Sequence, residues 1–411
     1  MSQIPPVRSV LLVVTGSIAA FKVPELIRML RAAGIAVRCV LTKGGAEFVT
    51  PLTLQALSGE RVHTDLFSLT AEQEMGHIAL SRSADLVLVC PASADFLAKM
   101  AHGLADDIAS TLLLATDTPV MVAPAMNVRM WEHAATQANV TLLRQRGVQL
   151  IAPVDGVMAC GESGPGRMAE PADISDTVVG FFRQKLREGR APLAGRRALV
   201  TAGPTHEPLD PVRYIANRSS GLQGYAIAEA LADLGADVTL VSGPTQLRNP
   251  AGMTVVRCET ARDMQAAVHA LKQQDIAVCT AAVADWRPAA QATQKLKKQS
   301  RNDVPPPLAL TANPDILAEL SQPSPIRPQL VVGFAAETEN VAQYAQAKLK
   351  RKQCDWIVAN NVGANSDVMG GSENEVMLIT SQTSDAWPRL SKTEVARKLA
   401  VAIADWFSRS L

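Results

Sequence analysis

Short apolar, β-branched runs alternate with helical patterns along most of this 411-residue chain. The run Ser9–Val14 is followed by the turn TGSIAA and then by a helical pattern of apolar residues that stops at Gly34. Further buried strands are predicted at 37–41, 86–90, 120–123 and 149–152. Strands that are apolar on both faces and alternate with helices predict a parallel sheet with helices packed on each side.

The same alternation starts again in the C-terminal half. A helix is predicted over about 172–194, and the polar stretch RAPLAGR after it marks a domain junction. Strands follow at 197–201, 237–241, 275–280, 329–334 and 355–359, a polar loop at 289–307, and an amphipathic helix at 391–408. The predicted fold class is therefore α/β, with two Rossmann-like or flavodoxin-like doubly wound parallel-sheet domains at 1–190 and 191–411.

Composition excludes several classes of partner. Forty basic and 39 acidic residues leave a formal charge of +1, so bulk electrostatics give no reason to expect a nucleic acid as partner. No apolar run approaches the ~20 residues that a membrane-spanning helix needs. The six cysteines form no CxxC pair, which favours a cytoplasmic protein; Cys39, Cys90 and Cys279 lie in apolar runs and are interpreted as core residues.

Two strand-to-helix turns predict a phosphate site. TGSIAAFK places Gly16 and Ser17 at the end of the first strand, and PASADFLAK places Ser93 at the end of a later one. Free backbone N–H groups and the helix dipole favour an anion at such positions. Each turn alone is weak evidence, but the carboxyl ends of parallel strands converge on one crevice.

The segment ACGESGPGRM, residues 159–168, is rich in glycine and carries Cys160, Glu162 and Arg167. We interpret it as too irregular for a helix or a strand, and as a mobile lid that presents these side chains to a ligand. A surface loop with an incidental thiol is the alternative.

The motifs GSIAA, MGHI, PASAD, HGLADD and PAMNVRMW precede this segment. Together with it they make residues 9 to about 170 resemble the flavin-dependent phosphopantothenoylcysteine decarboxylases. Position 95, often asparagine in that family, is Asp95 here. The resemblance implies an FMN held by Gly16, Ser17, Thr42, Pro91, Ala92, Ser93 and Ala94.

The resemblance also implies the chemistry. The family oxidises the substrate's CH2–SH group to a thioaldehyde by hydride transfer to FMN, so that CO2 can leave. His77 then corresponds to the base that removes the thiol proton, and a helix-surface histidine is the alternative. Cys160 resembles the later proton donor and Asn127 the ligand of the substrate carboxylate. Arg167 is assigned either to the substrate's phosphate or carboxylate or to a salt bridge within the lid.

The stretch VTAGPTHEPLDPVRYIANRSSG, with AAVADWR, KLKK, NPDIL and GFAAET, resembles the phosphopantothenate–cysteine ligases. These transfer CMP from CTP to 4'-phosphopantothenate, and the amine of cysteine then displaces CMP; lysines and Mg2+ stabilise the developing charge. A solvated helix face is the alternative reading of Lys348 and Lys352. The resemblance implies catalytic roles for Asn217 and Lys295, and CTP binding by Asp285, Lys295, Asn313, Pro314, Asp315, Ile316, Phe334, Lys348 and Lys352.

Three residues, in two motifs, depart from the ligase pattern. Leu222 and Gln223 stand where the family usually reads SSGKMG, and Asn361 stands where it reads ANDV.

With both halves matched, the chain resembles the bifunctional bacterial enzymes of coenzyme A biosynthesis, which implies a homo-oligomer. One alternative is a flavoprotein with an inactive, regulatory ligase half. The other, a nicotinamide oxidoreductase, is disfavoured because no GxGxxG is followed by an acidic residue ~20 positions on.

Overall fold

The computed structural model describes residues 8–65, 80, 82–158, 161–296, 307–362 and 371–409. The chain divides into two compact units, one spanning Ile4–Phe182 and the other containing Arg183–Leu411. The division falls inside the helix Pro171–Glu188, which ends before the predicted position 194. Each unit is built around its own sheet.

The first unit contains a five-stranded parallel sheet. Its spatial order, β2-β1-β3-β4-β5, is the flavodoxin-like order. The four long strands are almost wholly buried, because helices cover both faces. The strands of this unit are β1 (Ser9–Val14), β2 (Ala36–Leu41), β3 (Leu86–Ala92), β4 (Val120–Pro124), β5 (Gln149–Leu150), β6 (Val154–Val157) and β7 (Ser163–Arg167).

Local sequence signals fix where the helices of this unit begin and end. The Ser93 hydroxyl accepts a hydrogen bond from the Phe96 N–H and caps one helix, which ends at Gly103 in the left-handed conformation. The helices are α1 (Val23–Ala32), α2 (Lys43–Ala46), α3 (Pro51–Ser58), α4 (Ala94–His102), α5 (Ile108–Ala115), α6 (Val128–Glu132), α7 (Ala134–Gln145) and α8 (Pro171–Glu188), with a 3-10 helix at Ile18–Lys22.

The interpretation of residues 159–168 as too irregular for a strand is wrong for their second half. Ser163–Arg167 forms β7, which pairs antiparallel with β6. Gly164 and Gly166 adopt φ values of 150° and 130°, which other residues rarely reach, so a glycine-rich sequence can still form this strand. Ala159 and Cys160 lie outside the described residues.

The second unit contains an eight-stranded sheet in the order β12-β11-β8-β13-β16-β17-β19-β20. Its first six strands are parallel and follow the Rossmann order, which confirms the predicted fold class. Strands β19 and β20 extend the sheet antiparallel, which the sequence did not predict. The strands are β8 (Arg197–Ala202), β9 (His206–Pro208), β10 (Tyr214–Ala216), β11 (Asp237–Ser242), β12 (Thr254–Arg257), β13 (Ile276–Cys279), β14 (Trp286–Pro288), β15 (Leu310–Ala312), β16 (Leu330–Glu337), β17 (Trp356–Asn361), β18 (Glu373–Asn374), β19 (Val376–Thr380), β20 (Ser384–Ala386) and β21 (Leu390–Ser391).

Helices on both faces of this sheet complete the core of the second unit. The C-terminal helix packs its apolar face, including Leu399, Ile403 and Phe407, against the sheet and against a helix that follows β10. The helices are α9 (Leu222–Asp233), α10 (Ala261–His269), α11 (Ile316–Ser321), α12 (Val341–Lys352) and α13 (Lys392–Arg409).

Gly45, in α2, packs against the end of β1, and a substitution there tests how tightly the backbone is packed at that point. A Cβ atom on Gly45 would lie 2.6 Å from the Val14 carbonyl oxygen, whereas one on the neighbouring Gly44 would meet nothing closer than 3.2 Å. We expect Gly45→Ala to lower the free energy of unfolding by ~1–3 kcal/mol, because a backbone atom cannot move aside cheaply. Gly44→Ala is the matched control. Urea unfolding measures both, and an equal, small effect of the two substitutions would contradict this packing.

Candidate functional sites

In the first unit, the predicted phosphate turns lie side by side at the carboxyl edge of the sheet. Thr15, at the end of β1, donates a hydrogen bond to the Pro91 carbonyl (2.7 Å) and accepts one from the Ser93 N–H (3.0 Å). Its side chain is almost fully buried, at 1% exposed. Thr15 therefore ties the turn after β1 to the turn after β3. Sequence analysis passed over this residue, because a lone threonine beside a glycine carries no signal of its partner 76 positions away.

The third predicted FMN contact joins the same edge. Thr42 ends β2, donates to the Val14 carbonyl and caps α2 by accepting from the Gly45 N–H. Gly16 lies against Gly44 so closely that a Cβ on it would be 3.3 Å from the Gly44 backbone. The turns after β1, β2 and β3 thus bring hydroxyl groups and glycine backbone together at the carboxyl edge of the sheet. Asp95, the second residue of α4, is exposed and pairs with Lys99.

Asn127 has both ends of its amide engaged. It caps α6 by accepting from the Met130 N–H (3.1 Å), and its Nδ2 donates to Glu162 Oε2 (2.5 Å). Because the oxygen must accept, the NH2 group faces β7 and its neighbours. The structure therefore brings Asn127 together with the acid of the ACGE sequence.

Arg167 forms an ion pair with Glu170, which also accepts from Lys22 at 2.8 Å. Hydrogen bonds from Lys22 and Arg167 lower the pKa of Glu170. Glu170 lies outside residues 159–168, so this ion pair is not the salt bridge within the lid that was considered, and both roles of Arg167 stay predictions. His77 and Cys160 lie outside the described residues.

In the second unit, a cavity of about 560 Å³ opens at the carboxyl ends of β8, β13, β16 and β17. Ligands of doubly wound sheets bind at this edge, where the strand order reverses. Nine residues predicted for the ligase line it: Asn217, Asp285, Asn313, Pro314, Asp315, Ile316, Phe334, Lys348 and Lys352.

Lys295 is the predicted ligase residue that does not line the cavity. It is exposed and precedes Leu296, whose N–H donates to the buried Asp210 (3.2 Å) and whose carbonyl accepts from Arg213 (2.9 Å). The Arg213 guanidinium holds the pKa of Asp210 well below its usual range. The residues just after Leu296 lie outside the described part of the chain.

One wall of the cavity is positively charged. Lys348 donates to the Phe334 carbonyl (2.8 Å), and burial, reinforced by the neighbouring charge of Lys352, lowers its pKa. Lys352 pairs with Asp315, which also caps α11 through the Ala318 N–H. Burial alone would raise the pKa of Asp315, but the Lys352 contact and the cap outweigh it and lower that pKa. These contacts do not match a fully solvated helix face.

The start of α9 also lines the cavity. Gly221 precedes this helix with φ 77° and no side-chain cap, and a Cβ on Gly224 would lie 2.5 Å from Ala202 Cβ. The backbone N–H groups of this first turn therefore border the cavity without a protein side-chain acceptor at the cap position. Leu222 and Gln223, which depart from one ligase motif, also line it.

Asn217 bridges the cavity floor, donating from Nδ2 to the Val283 (3.0 Å) and Ala282 (3.3 Å) carbonyls. Cys279 also lines the cavity, so its interpretation as a core residue is incomplete, and burial raises its pKa to about 12.

Lys392 is a lining residue that sequence analysis missed. Its carbonyl accepts from Gln223 Nε2 (3.1 Å), and burial lowers the pKa of its side chain. It lies 169 positions after Gln223, on the C-terminal helix, and no local sequence motif indicates that it lines the cavity.

Two features are absent from the described residues. No helix there is both long and apolar enough to cross a membrane. No cluster of three or more His, Cys, Asp or Glu side chains there could hold a metal ion.

Two family models match the chain. The flavoprotein model covers residues 2–183, and the model of the DNA/pantothenate metabolism flavoprotein C-terminal domain covers residues 193–407. Curated relatives named coenzyme A biosynthesis bifunctional protein CoaBC are similar over nearly the whole chain. The relative from Vibrio vulnificus strain CMCP6 is 44% identical, covering 95% of this chain and 96% of its own. Those from Haemophilus influenzae and Escherichia coli K12 are 45% identical, covering 97% and 95% of each chain respectively.

Solved structures are similar to each half. The C-terminal domain of a coenzyme A biosynthesis bifunctional protein CoaBC is 40% identical, with a TM-score of 0.45, covering 53% of this chain and 99% of that one. The FMN binding protein AtHal3 is 35% identical, with a TM-score of 0.38, covering 43% and 97%.

The partly buried position of Lys348 predicts pH-dependent anion binding in the cavity. Because its pKa is lowered, Lys348 loses its charge at a pH below the ordinary lysine value of 10.5, and attraction to a triphosphate is lost as pH rises through that lowered pKa. We expect Lys348→Met to weaken CTP binding roughly tenfold or more and to remove this alkaline dependence. Lys350→Met, exposed on the same helix, is the control. Calorimetric titration across alkaline pH measures both, and an unchanged affinity of Lys348→Met would refute the role.

Proposed function

This chain belongs to the family of bifunctional coenzyme A biosynthesis proteins, and we propose that its two halves divide that family's two activities between them. Residues 191–411 ligate cysteine to 4'-phosphopantothenate with CTP. Residues 1–190 decarboxylate the resulting 4'-phosphopantothenoylcysteine to 4'-phosphopantetheine. The observation that carries this proposal is the match of both family models and of full-length relatives, in one order, along one chain.

The N-terminal edge is suited to FMN. The hydroxyls of Ser17, Thr42 and Ser93 cap three helical segments at adjacent strand ends, and Gly16 leaves no side chain to fill the space between them. Such a set of hydroxyls and N–H groups fits a phosphate. Pro91, Ala92 and Ala94 complete the proposed contacts. When bound, FMN supplies two-electron redox chemistry that no side chain of the chain can provide.

Three residues then act on the substrate. His77 takes the proton of the thiol, since imidazole titrates near neutrality. Asn127 holds the carboxylate through its Nδ2, the donor end that the α6 cap leaves facing the hairpin. Cys160 returns a proton to the carbon skeleton after CO2 has left. Arg167, paired with Glu170, lies at the base of the same hairpin and stays a proposed contact to the substrate.

The C-terminal cavity is suited to nucleotidyl transfer. The carboxylate of 4'-phosphopantothenate attacks the α-phosphorus of CTP and releases pyrophosphate; the amine of cysteine then attacks the acyl carbon and releases CMP. Lys348 and Lys352 supply positive charge for the phosphates. Asn217 is proposed to act on the acyl-cytidylate, and Lys295 is proposed to act in the nucleotidyl transfer that forms it. We expect Asn313, Pro314, Ile316 and Phe334 to form the nucleotide pocket.

Mg2+ is proposed to enter with the nucleotide. Asp285 and Asp315 are the two carboxylates proposed for the site that line the cavity, and Asp315 already pairs with Lys352. Mg2+ is commonly held by one or two carboxylates together with substrate phosphates, so this donor set fits a magnesium–triphosphate complex better than a dedicated protein cage.

We also propose that the protein works as a homo-oligomer in the cytoplasm. Ile18, Phe21 and Leu52 are apolar and more than half exposed near the proposed flavin edge, which favours contact with a second copy. The five cysteines among the described residues are free thiols, which fits a reducing compartment.

An active ligase is favoured over a purely regulatory C-terminal half. Leu222 and Gln223 replace a lysine and a methionine of the usual pattern, but the cavity keeps Lys348, Lys352 and also Lys392. Lysine side chains of both α12 and α13 therefore line the cavity.

Separate substitutions in the full chain test the division of labour. We expect His77→Asn to keep bound flavin and pyrophosphate release from CTP but to lose CO2 release, because the ring acts on the thiol alone. We expect Lys295→Gln to do the reverse: CO2 release from 4'-phosphopantothenoylcysteine persists and pyrophosphate release falls.

Both products are measured on both variants, with the unmodified protein as reference. Near-normal CO2 release by His77→Asn would refute its role as base. Loss of both activities in either variant, with the fold intact, would contradict independent halves.

A further inference from the structure

Glu162 is a motif residue to which the proposed mechanism gives no task. It lies at the end of the β6–β7 hairpin, one residue before β7, and its Oε2 accepts from Asn127 Nδ2 at 2.5 Å. Its backbone carbonyl accepts from the Met158 N–H (2.9 Å) across the hairpin. The carboxylate is thus aimed at the amide proposed to bind the substrate's carboxylate.

The backbone of β7 fixes this approach. A Cβ on Gly164 would lie 2.8 Å from Val128 Cγ2, and one on Gly166 would lie 2.7 Å from the Met126 carbonyl oxygen. The Met126 N–H also donates to the Gly166 carbonyl (3.0 Å). The two glycines allow β7 to lie directly on the segment 126–128, which places Glu162 beside Asn127.

Substrate and product of the proposed decarboxylation differ by one carboxylate at this position. 4'-Phosphopantothenoylcysteine carries it, and 4'-phosphopantetheine does not. Two carboxylates that converge on one amide repel each other and compete for its N–H groups. Glu162 and the substrate carboxylate are therefore rivals for the Asn127 amide.

We propose that Glu162 is a specificity-determining residue that occupies the Asn127 amide until the substrate's carboxylate displaces it, and that returns to the amide once CO2 has left. This inference rests on the proposed decarboxylase function and deepens it. The Asn127 amide is then hydrogen-bonded both before binding and after product forms, so this partly buried donor keeps an acceptor when the carboxylate disappears. Only a ligand that bears the carboxylate has to break the Asn127–Glu162 hydrogen bond when it binds.

A matched pair of inert ligands tests this exchange. 4'-Phosphopantothenoylserine has a hydroxyl in place of the reactive thiol, and 4'-phosphopantothenoylethanolamine is the same molecule without the carboxylate. Their dissociation constants are measured by calorimetry on the full chain with its flavin bound. Glu162→Gln keeps the shape of the side chain and removes its charge.

We expect Glu162→Gln to bind the serine compound roughly tenfold more tightly, because a neutral amide is a weaker rival than a carboxylate. Affinity for the ethanolamine compound should stay within about twofold, since that ligand does not compete for Asn127. In an Asn127→Ala background the effect of Glu162→Gln should disappear, as a double-mutant cycle requires of coupled residues. If Asn127→Ala loses its flavin, the affinities of Glu162→Gln and the unmodified protein for the two compounds are sufficient to test the exchange.

Weaker binding of the serine compound, or equal changes for both compounds, would overturn the exchange and leave the proposed function standing. If the unmodified protein binds neither compound and releases no CO2 from 4'-phosphopantothenoylcysteine, the proposed function fails and this inference fails with it.

Discussion

In each unit the sheet grows in two directions from its first strand, so the connections on either side of that strand cover opposite faces and leave a crevice at its carboxyl end. In the first unit the crevice lies between β1 and β3, where Thr15 links the two turns. In the second it lies between β8 and β13, where the cavity opens. Because most positions of the central strands are buried, the polar residues that form the two candidate sites lie where the strands end or beyond them. Both candidate sites depend on this constraint.

Close backbone approach is the second requirement of both sites. Gly16 lies against Gly44, Gly224 against Ala202, and Gly166 against the Met126 carbonyl, and each leaves less room than a Cβ atom needs without adjustment. These contacts place N–H groups, the α9 terminus and Glu162 where ligands are proposed to bind. The space available for a side chain therefore restricts the residue type at these positions, as the chemistry of the site does.

Sequence alone predicted the alternating strands and helices because each is an apolar run of the right period, as at Ser9–Val14 and at α13. It failed for β7, where glycine φ values and pairing with β6 outweigh propensity. It also missed Thr15 and Lys392, whose roles depend on contacts with residues far away in the chain. Nine predicted ligase residues do line one cavity. Phe334 lies on the parallel strand β16, and Lys348 and Lys352 lie on α12, whereas Asn217 and Asn313 follow β10 and β15, two short antiparallel strands outside the main sheet.

The stoichiometry of the complete reaction tests the central claim, that one chain carries both activities. The purified protein receives 4'-phosphopantothenate, CTP, Mg2+ and cysteine labelled at its carboxyl carbon, and pyrophosphate, labelled CO2 and 4'-phosphopantetheine are counted together. Our account predicts equal amounts of all three products. Formation of CO2 only when 4'-phosphopantothenoylcysteine is supplied ready-made, with no pyrophosphate from CTP, would contradict it.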